Sequence, residues 1–156
     1  MSMLTQDHPA NRILELSDAT IDWLNRVPLS IPQTLARFAV AGVFFRSGMT
    51  KIANWDLTVQ LFQDEYHLPL LPPDLAASLG ATLELSIPVF LVLGLFTRLA
   101  TLPLLGMTAV IEIFVYPQNW PEHLTWASLL IFVLVRGPGI YSADHLIARF
   151  LHPRGR

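Results

Sequence analysis

Residues 75–96 read LAASLGATLELSIPVFLVLGLF, a run of 22 residues in which Glu84 is the single charge. At about 1.5 Å of rise per helical residue, the segment from Leu75 to Phe96 can cross roughly 30 Å of hydrocarbon. Backbone polar groups find no water inside a bilayer, so a segment of this kind has to be a helix. Working outward, Thr97 and Arg98 make a short hinge, and Leu99 to Tyr116 is a second apolar stretch with Glu112 as its only charge. So short a connection forces the two helices antiparallel. The whole chain agrees: of its 156 residues 53% are hydrophobic and 14% charged, too little polar surface to coat a soluble globule.

Two weaker spans complete the set. Gln33 to Ala53 contains Arg37, Arg46 and Lys51, yet Phe38 to Phe45 is wholly apolar. Pro121 to Arg136 is about 24 Å of helix, short enough to require local thinning of the bilayer. The expected fold is therefore all-α, an integral membrane four-helix bundle over residues 33–136. A polar leader, residues 1–32, precedes it, and a cytoplasmic interfacial segment, residues 137–156, follows.

In the leader, Ile13, Leu16, Ile21, Leu24 and Val27 recur at helical spacing opposite Arg12, Glu15, Asp18, Asp22 and Asn25. This pattern predicts an amphipathic helix lying on the membrane or a solvent-exposed helix, ended by Pro28 and Pro32. The leader has no continuous apolar core and does not read as a cleaved signal. Between the first two spans, Asp56 to Tyr66 is expected to form a short helix. After Gly137-Pro138-Gly139, a second interfacial helix is expected over Tyr141 to Leu151. With four spans, Arg12, Arg26, Arg98, Arg136, Arg149, Arg154 and Arg156 share one side, and the positive-inside rule places both termini in the cytoplasm.

Ionisable groups inside a bilayer cost several kcal/mol unless paired, which makes them the candidates for function. Counted from the cytoplasmic ends, Arg46 lies about 20 Å deep, Glu112 about 21 Å and Glu84 about 16 Å. Arg46 offers a planar fork able to bridge two carboxylates. Lys51 can add the second positive charge or snorkel to the interface. Ala39 and Gly42 share the face of Arg46, Ala77 and Gly80 that of Glu84, and Thr101 and Thr108 that of Glu112, the small and hydroxyl residues of close membrane packing. Tyr116, one turn beyond Glu112, extends the polar set outward. Two roles stay open for this cluster: a determinant of folding, or a site that binds a ligand or relays protons.

The five histidines, His8, His67, His123, His145 and His152, avoid the middle of every span, which argues against a haem held by two membrane histidines. His123 and Trp126 stand one turn apart at the outer end of the last span, either as an interfacial pair or as a cradle for a quinone headgroup. Asp64, Glu65 and His67 read as a solvated acidic loop. No metal site is expected. Cysteine is absent, which removes thiolate metal ligation and disulfide exchange. The net charge of −2 carries no signal for nucleic acid, which is not expected as a partner.

The run Arg46-Ser47-Gly48-Met49-Thr50-Lys51-Ile52, the glutamate ahead of Gly94-Leu95-Phe96-Thr97-Arg98, and the ending Arg136-Gly137-Pro138-Gly139-Ile140-Tyr141-Ser142-Ala143-Asp144 resemble the DoxX family. The likeness covers about Leu35 to Asp144. It implies a four-span protein of the bacterial inner membrane, in a family named for its likeness to the small membrane subunit of thiosulfate:quinone oxidoreductase and linked to redox or oxidative-stress contexts. Carried onto this chain, the pattern points to Arg46, Gly48, Lys51, Glu84, Gly137, Gly139 and Asp144. The expected function is an auxiliary subunit supporting redox or quinone-linked chemistry, with quinone as the cofactor and the lipid bilayer, a redox enzyme and further copies of the chain as partners. The alternatives are a small proton-coupled transporter and a structural membrane partner of an enzyme.

Overall fold

The computed structural model describes residues 9–66 and 68–151, with side chains from residue 16 onward. His8, His67, His152 and the basic Arg154 and Arg156 fall outside those residues. Among the described residues every regular element is helical: α1 (Pro9–Asn25), α2 (Ser30–Ala53), α3 (Trp55–Leu61), α4 (Pro73–Leu93), α5 (Thr97–Val110), α6 (Trp120–Arg136) and α7 (Ala143–Leu151). Two π-helical turns, Phe62–Tyr66 and Ile111–Val115, extend α3 and α5.

The four long helices α2, α4, α5 and α6 close into a ring, each packed on two neighbours. Val40, Ala41, Phe44, Leu91, Ala100, Leu104 and Leu130 fill its centre. Two stretches, Pro73–Leu93 and Thr97–Val115, are long and apolar enough to cross a membrane, and only 33% and 22% of their apolar windows are buried. Most of their apolar surface therefore points outward, the arrangement that lipid stabilises and water does not. The chain is a multi-pass membrane protein. α6, at 17 residues, is the shorter helix anticipated from its sequence.

Pro28 precedes α2, but Pro32 lies within its first turn instead of ending the leader. Amide hydrogens in a first turn have no intrahelical partner, so proline costs nothing there. α1 meets α2 at a bend of 68°. Its described side chains from Leu16 to Asn25 are all exposed, including Leu16, Ile21 and Leu24, as in a helix lying at the membrane interface. α7 carries a similar exposed apolar face of Leu146, Ile147, Phe150 and Leu151.

One end of the bundle is tied by the segment after α6. Arg37, 1% exposed, donates to the carbonyls of Pro138 (2.6 Å), Tyr141 (2.9 Å) and Val92 (3.3 Å). Gln33 Nε2 donates to the carbonyls of Arg136 (2.8 Å) and Gly137 (3.1 Å). Asp144 accepts from the backbone N–H groups of Phe96 (2.8 Å) and Thr97 (2.9 Å), capping the start of α5. That carboxylate also holds Phe96 in the left-handed region, φ 47°, which side chains seldom adopt. The tight turn needs Gly94 at φ 67°, where a Cβ would stand 2.5 Å from Ser142 Cβ.

Candidate functional site

Lys51 and Glu84 meet between α2 and α4, beside the close approach of these helices at Gly48. Lys51 Nζ lies 2.7 Å from Glu84 Oε2 and 2.9 Å from Oε1. Ser47, one turn before Lys51 on the same face, donates to Glu84 Oε1 at 3.2 Å and accepts from Lys51 Nζ at 2.9 Å. The glutamate side chain is 3% exposed and the lysine 15%. Gly48 makes the approach possible. A Cβ there would lie 2.9 Å from Leu85 Cδ2 and 3.0 Å from Glu84 Cβ, too close for the helices to keep this spacing.

The cation on Glu84 is thus Lys51, not Arg46. Arg46 is exposed on the outer face of α2 and has no hydrogen bond or ion pair among the described residues. Ala39 and Gly42, expected to share an inward face with it, are exposed too, and nothing lies within 4 Å of a Cβ placed at Gly42. Arg46 can remain there because its long stem lets the guanidinium reach toward the interface. Glu112 does not join Arg46 either. Its Oε2 lies 2.6 Å from Nδ1 of His123, a residue 4% exposed on α6. The expected cluster of Arg46, Glu84 and Glu112 is therefore replaced by two separate contacts, Lys51 with Glu84 joining α2 to α4, and Glu112 with His123 joining the π-helical turn after α5 to α6.

Between these pairs lies a cavity of about 580 Å³. Lys51, Glu84 and Ser47 line it from the α2–α4 side and His123 and Trp126 from α6. Phe44 meets Trp126 edge-on at 5.7 Å between ring centres, and Trp126 stands 5.1 Å from the His123 ring. Phe62, Tyr66 and Tyr116 form an aromatic roof, with ring centres 4.8 Å and 5.7 Å apart. Tyr116 donates to Glu65 across this roof, and burial first, then that hydrogen bond, pushes its phenol above the ordinary value. Both π-helical turns border the cavity, through Phe62 and Tyr66 on one and Ile111 and Val115 on the other. Such turns recur at functional sites because the extra residue re-aims side chains.

Arg37 is the buried charge that the sequence reading left without a role. It clamps the opposite end of the bundle and does not line the cavity. Gly137, Gly139 and Asp144 belong with it: the two glycines adopt φ 82° and 81°, and a Cβ on Gly139 would lie 3.0 Å from Gln33 Oε1. The pattern Val40, Phe44, Gly48, Lys51 was the available signal that Lys51, rather than Arg46, faces inward.

The family model described as DoxX matches residues 32–117, more than half of the chain. The match takes in Arg46, Gly48, Lys51, Glu84, Glu112 and Tyr116, and stops short of His123 and of the clamp formed by residues 137–144. Neither the curated proteins nor the solved structures contain a match to this chain.

Proposed function

From the premise that the chain belongs to the DoxX family, we propose that it is an auxiliary subunit of redox metabolism whose cavity holds a quinone or a related neutral lipophile. The observation that carries this reading is an apolar, aromatic-walled chamber within a membrane bundle that has polar side chains at two opposite walls. Its volume lies in the range of small-molecule sites, and such sites combine apolar walls with a few oriented polar groups. Lys51 and Glu84 together are formally neutral. Glu122 also lines the chamber, and Glu112 stands behind His123, so an anionic headgroup would meet net negative charge. A neutral ring with carbonyl acceptors fits better.

The residues divide the work as follows. Lys51 is held on Glu84 by two contacts and supplies a fixed donor at one wall. His123 has Nδ1 engaged with Glu112, which leaves Nε2 for a ligand. Phe44, Trp126 and the aromatic roof offer ring faces and edges to a flat headgroup. We place the protein in the bacterial inner membrane with both termini in the cytoplasm, since Arg98, Arg136 and Arg149 stand at the clamped end.

The test is organic extraction of protein purified in mild detergent, joined to thermal-shift measurements with decylubiquinone and menadione. Co-purifying quinone, or stabilisation lost in His123→Ala and Glu84→Gln, supports the reading. No extracted quinone together with no shift for either compound refutes it.

A further inference from the structure

A second, smaller cavity of about 240 Å³ abuts the chamber and shares Ser47, Lys51, Phe62 and Tyr66 with it. Its character differs. Beyond the shared residues it is walled by Thr50, Asn54 and Thr58, together with Leu57 and Leu61. Thr50 and Asn54 at the C-terminal end of α2 and Leu57 on α3 are exposed, so this space opens where α2 leaves the bundle. Thr58 Oγ1 donates to the carbonyls of Lys51 (2.8 Å) and Asn54 (3.0 Å), which fixes α3 as the far wall. Lys51 and Ser47 therefore stand in the partition between an apolar chamber and a polar vestibule.

We propose that the vestibule is the aqueous route to the Lys51–Glu84 pair, so that the polar end of the chamber exchanges protons with water on one side of the membrane only. Three observations converge on this assignment. The lysine belongs to both cavities while Glu84 belongs to the chamber alone. Ser47 bonds to both members of the pair and extends the hydrogen-bonded path. The vestibule has the hydroxyl and amide groups that ordered water needs as partners. Proton exchange with a ligand rests on the chamber reading above; water access to the pair does not.

Because the chain contains no cysteine, single-cysteine variants give an unambiguous readout in sealed vesicles. Ser47→Cys, Thr50→Cys and Val43→Cys are treated with a charged, membrane-impermeant thiosulfonate and then with a permeant maleimide. Val43, one turn below Ser47, lines the chamber but not the vestibule. The expected order is Ser47→Cys within about tenfold of Thr50→Cys, and labelled from the same side, while Val43→Cys reacts about a hundredfold more slowly, because a charged reagent must shed its water to enter an apolar space. Reaction of Ser47→Cys only with the permeant reagent overturns the proposal. Equal impermeant labelling of Val43→Cys and Ser47→Cys overturns it too, since water would then fill both spaces. Vesicles without added quinone suffice, so failure here leaves the ligand reading intact, and failure of quinone binding leaves this one intact.

Discussion

Replacing Lys51 with methionine isolates the pair that joins α2 to α4 away from the clamped end of the bundle. The substitution keeps most of the side-chain volume and removes two of the three hydrogen bonds that Glu84 accepts, leaving only Ser47 at 3.2 Å. The carboxylate is 3% exposed and lines the apolar chamber but not the vestibule, so it stays largely desolvated once the lysine is gone. Removing one partner of a buried pair typically costs about 3–5 kcal/mol, because the remaining charge stays desolvated. At roughly 2–4 °C per kcal/mol for a chain of this size, the midpoint should fall by about 6–20 °C. Glu84→Gln should be milder, at about 1–2 kcal/mol, because Lys51 is nearer the vestibule and can turn toward it. The combination Lys51→Met with Glu84→Gln leaves no charge behind and should recover at least about 1 kcal/mol relative to the sum of the single losses. Thermal unfolding in detergent, followed by size-exclusion fluorescence, measures all four proteins. Strict additivity of the two single effects would refute the claim that this pair is mutually neutralising, as would an Arg46→Met loss as large as that of Lys51→Met.

Gly48→Ala should cost about 1–3 kcal/mol by forcing α2 away from Leu85 and Glu84, and the same unfolding assay should show part of that loss already present in a Lys51→Met background. Asp144→Ala removes both caps on α5 and should lower stability by about 1–2 kcal/mol, with Asp144→Asn intermediate. His123→Ala is expected to weaken binding of decylubiquinone about tenfold, equivalent to about 1.4 kcal/mol, in a tryptophan-quenching titration. The raised Tyr116 phenol remains neutral at a pH where an ordinary tyrosine has ionised. Ultraviolet titration near about pH 11 should therefore find a resistant tyrosine fraction that disappears in Tyr116→Phe.

The membrane architecture was legible because it depends on composition over long windows. Glu84 is the only charge between Leu75 and Phe96, and no local accident of packing alters how such a stretch partitions. Gly48, Gly137, Gly139 and Asp144 also stood out through the family likeness, and each proves to occupy a close approach, a positive φ or a helix cap. The facing of α2 was harder to read. Ala39, Gly42 and Arg46 present one stripe of small residues and a charge; Ala41, Gly48 and Lys51 present another. Both satisfy the packing pattern of membrane helices, and at 3.6 residues per turn they point in different directions. Depth along the helix favoured Arg46, whereas rotation about the axis favoured Lys51.

What the amino-acid sequence determined alone was the set of apolar helices, their antiparallel order and the small number of charges they carry, since these follow from the cost of moving each segment out of water. Only the tertiary structure decided which charges meet. Pairing depends on the rotation of each helix, and that rotation is fixed by contacts between distant residues: Gly48 against Leu85, Arg37 against the carbonyls of Pro138 and Tyr141, His123 against Glu112. A chamber bounded by several helices exists only once those rotations are set.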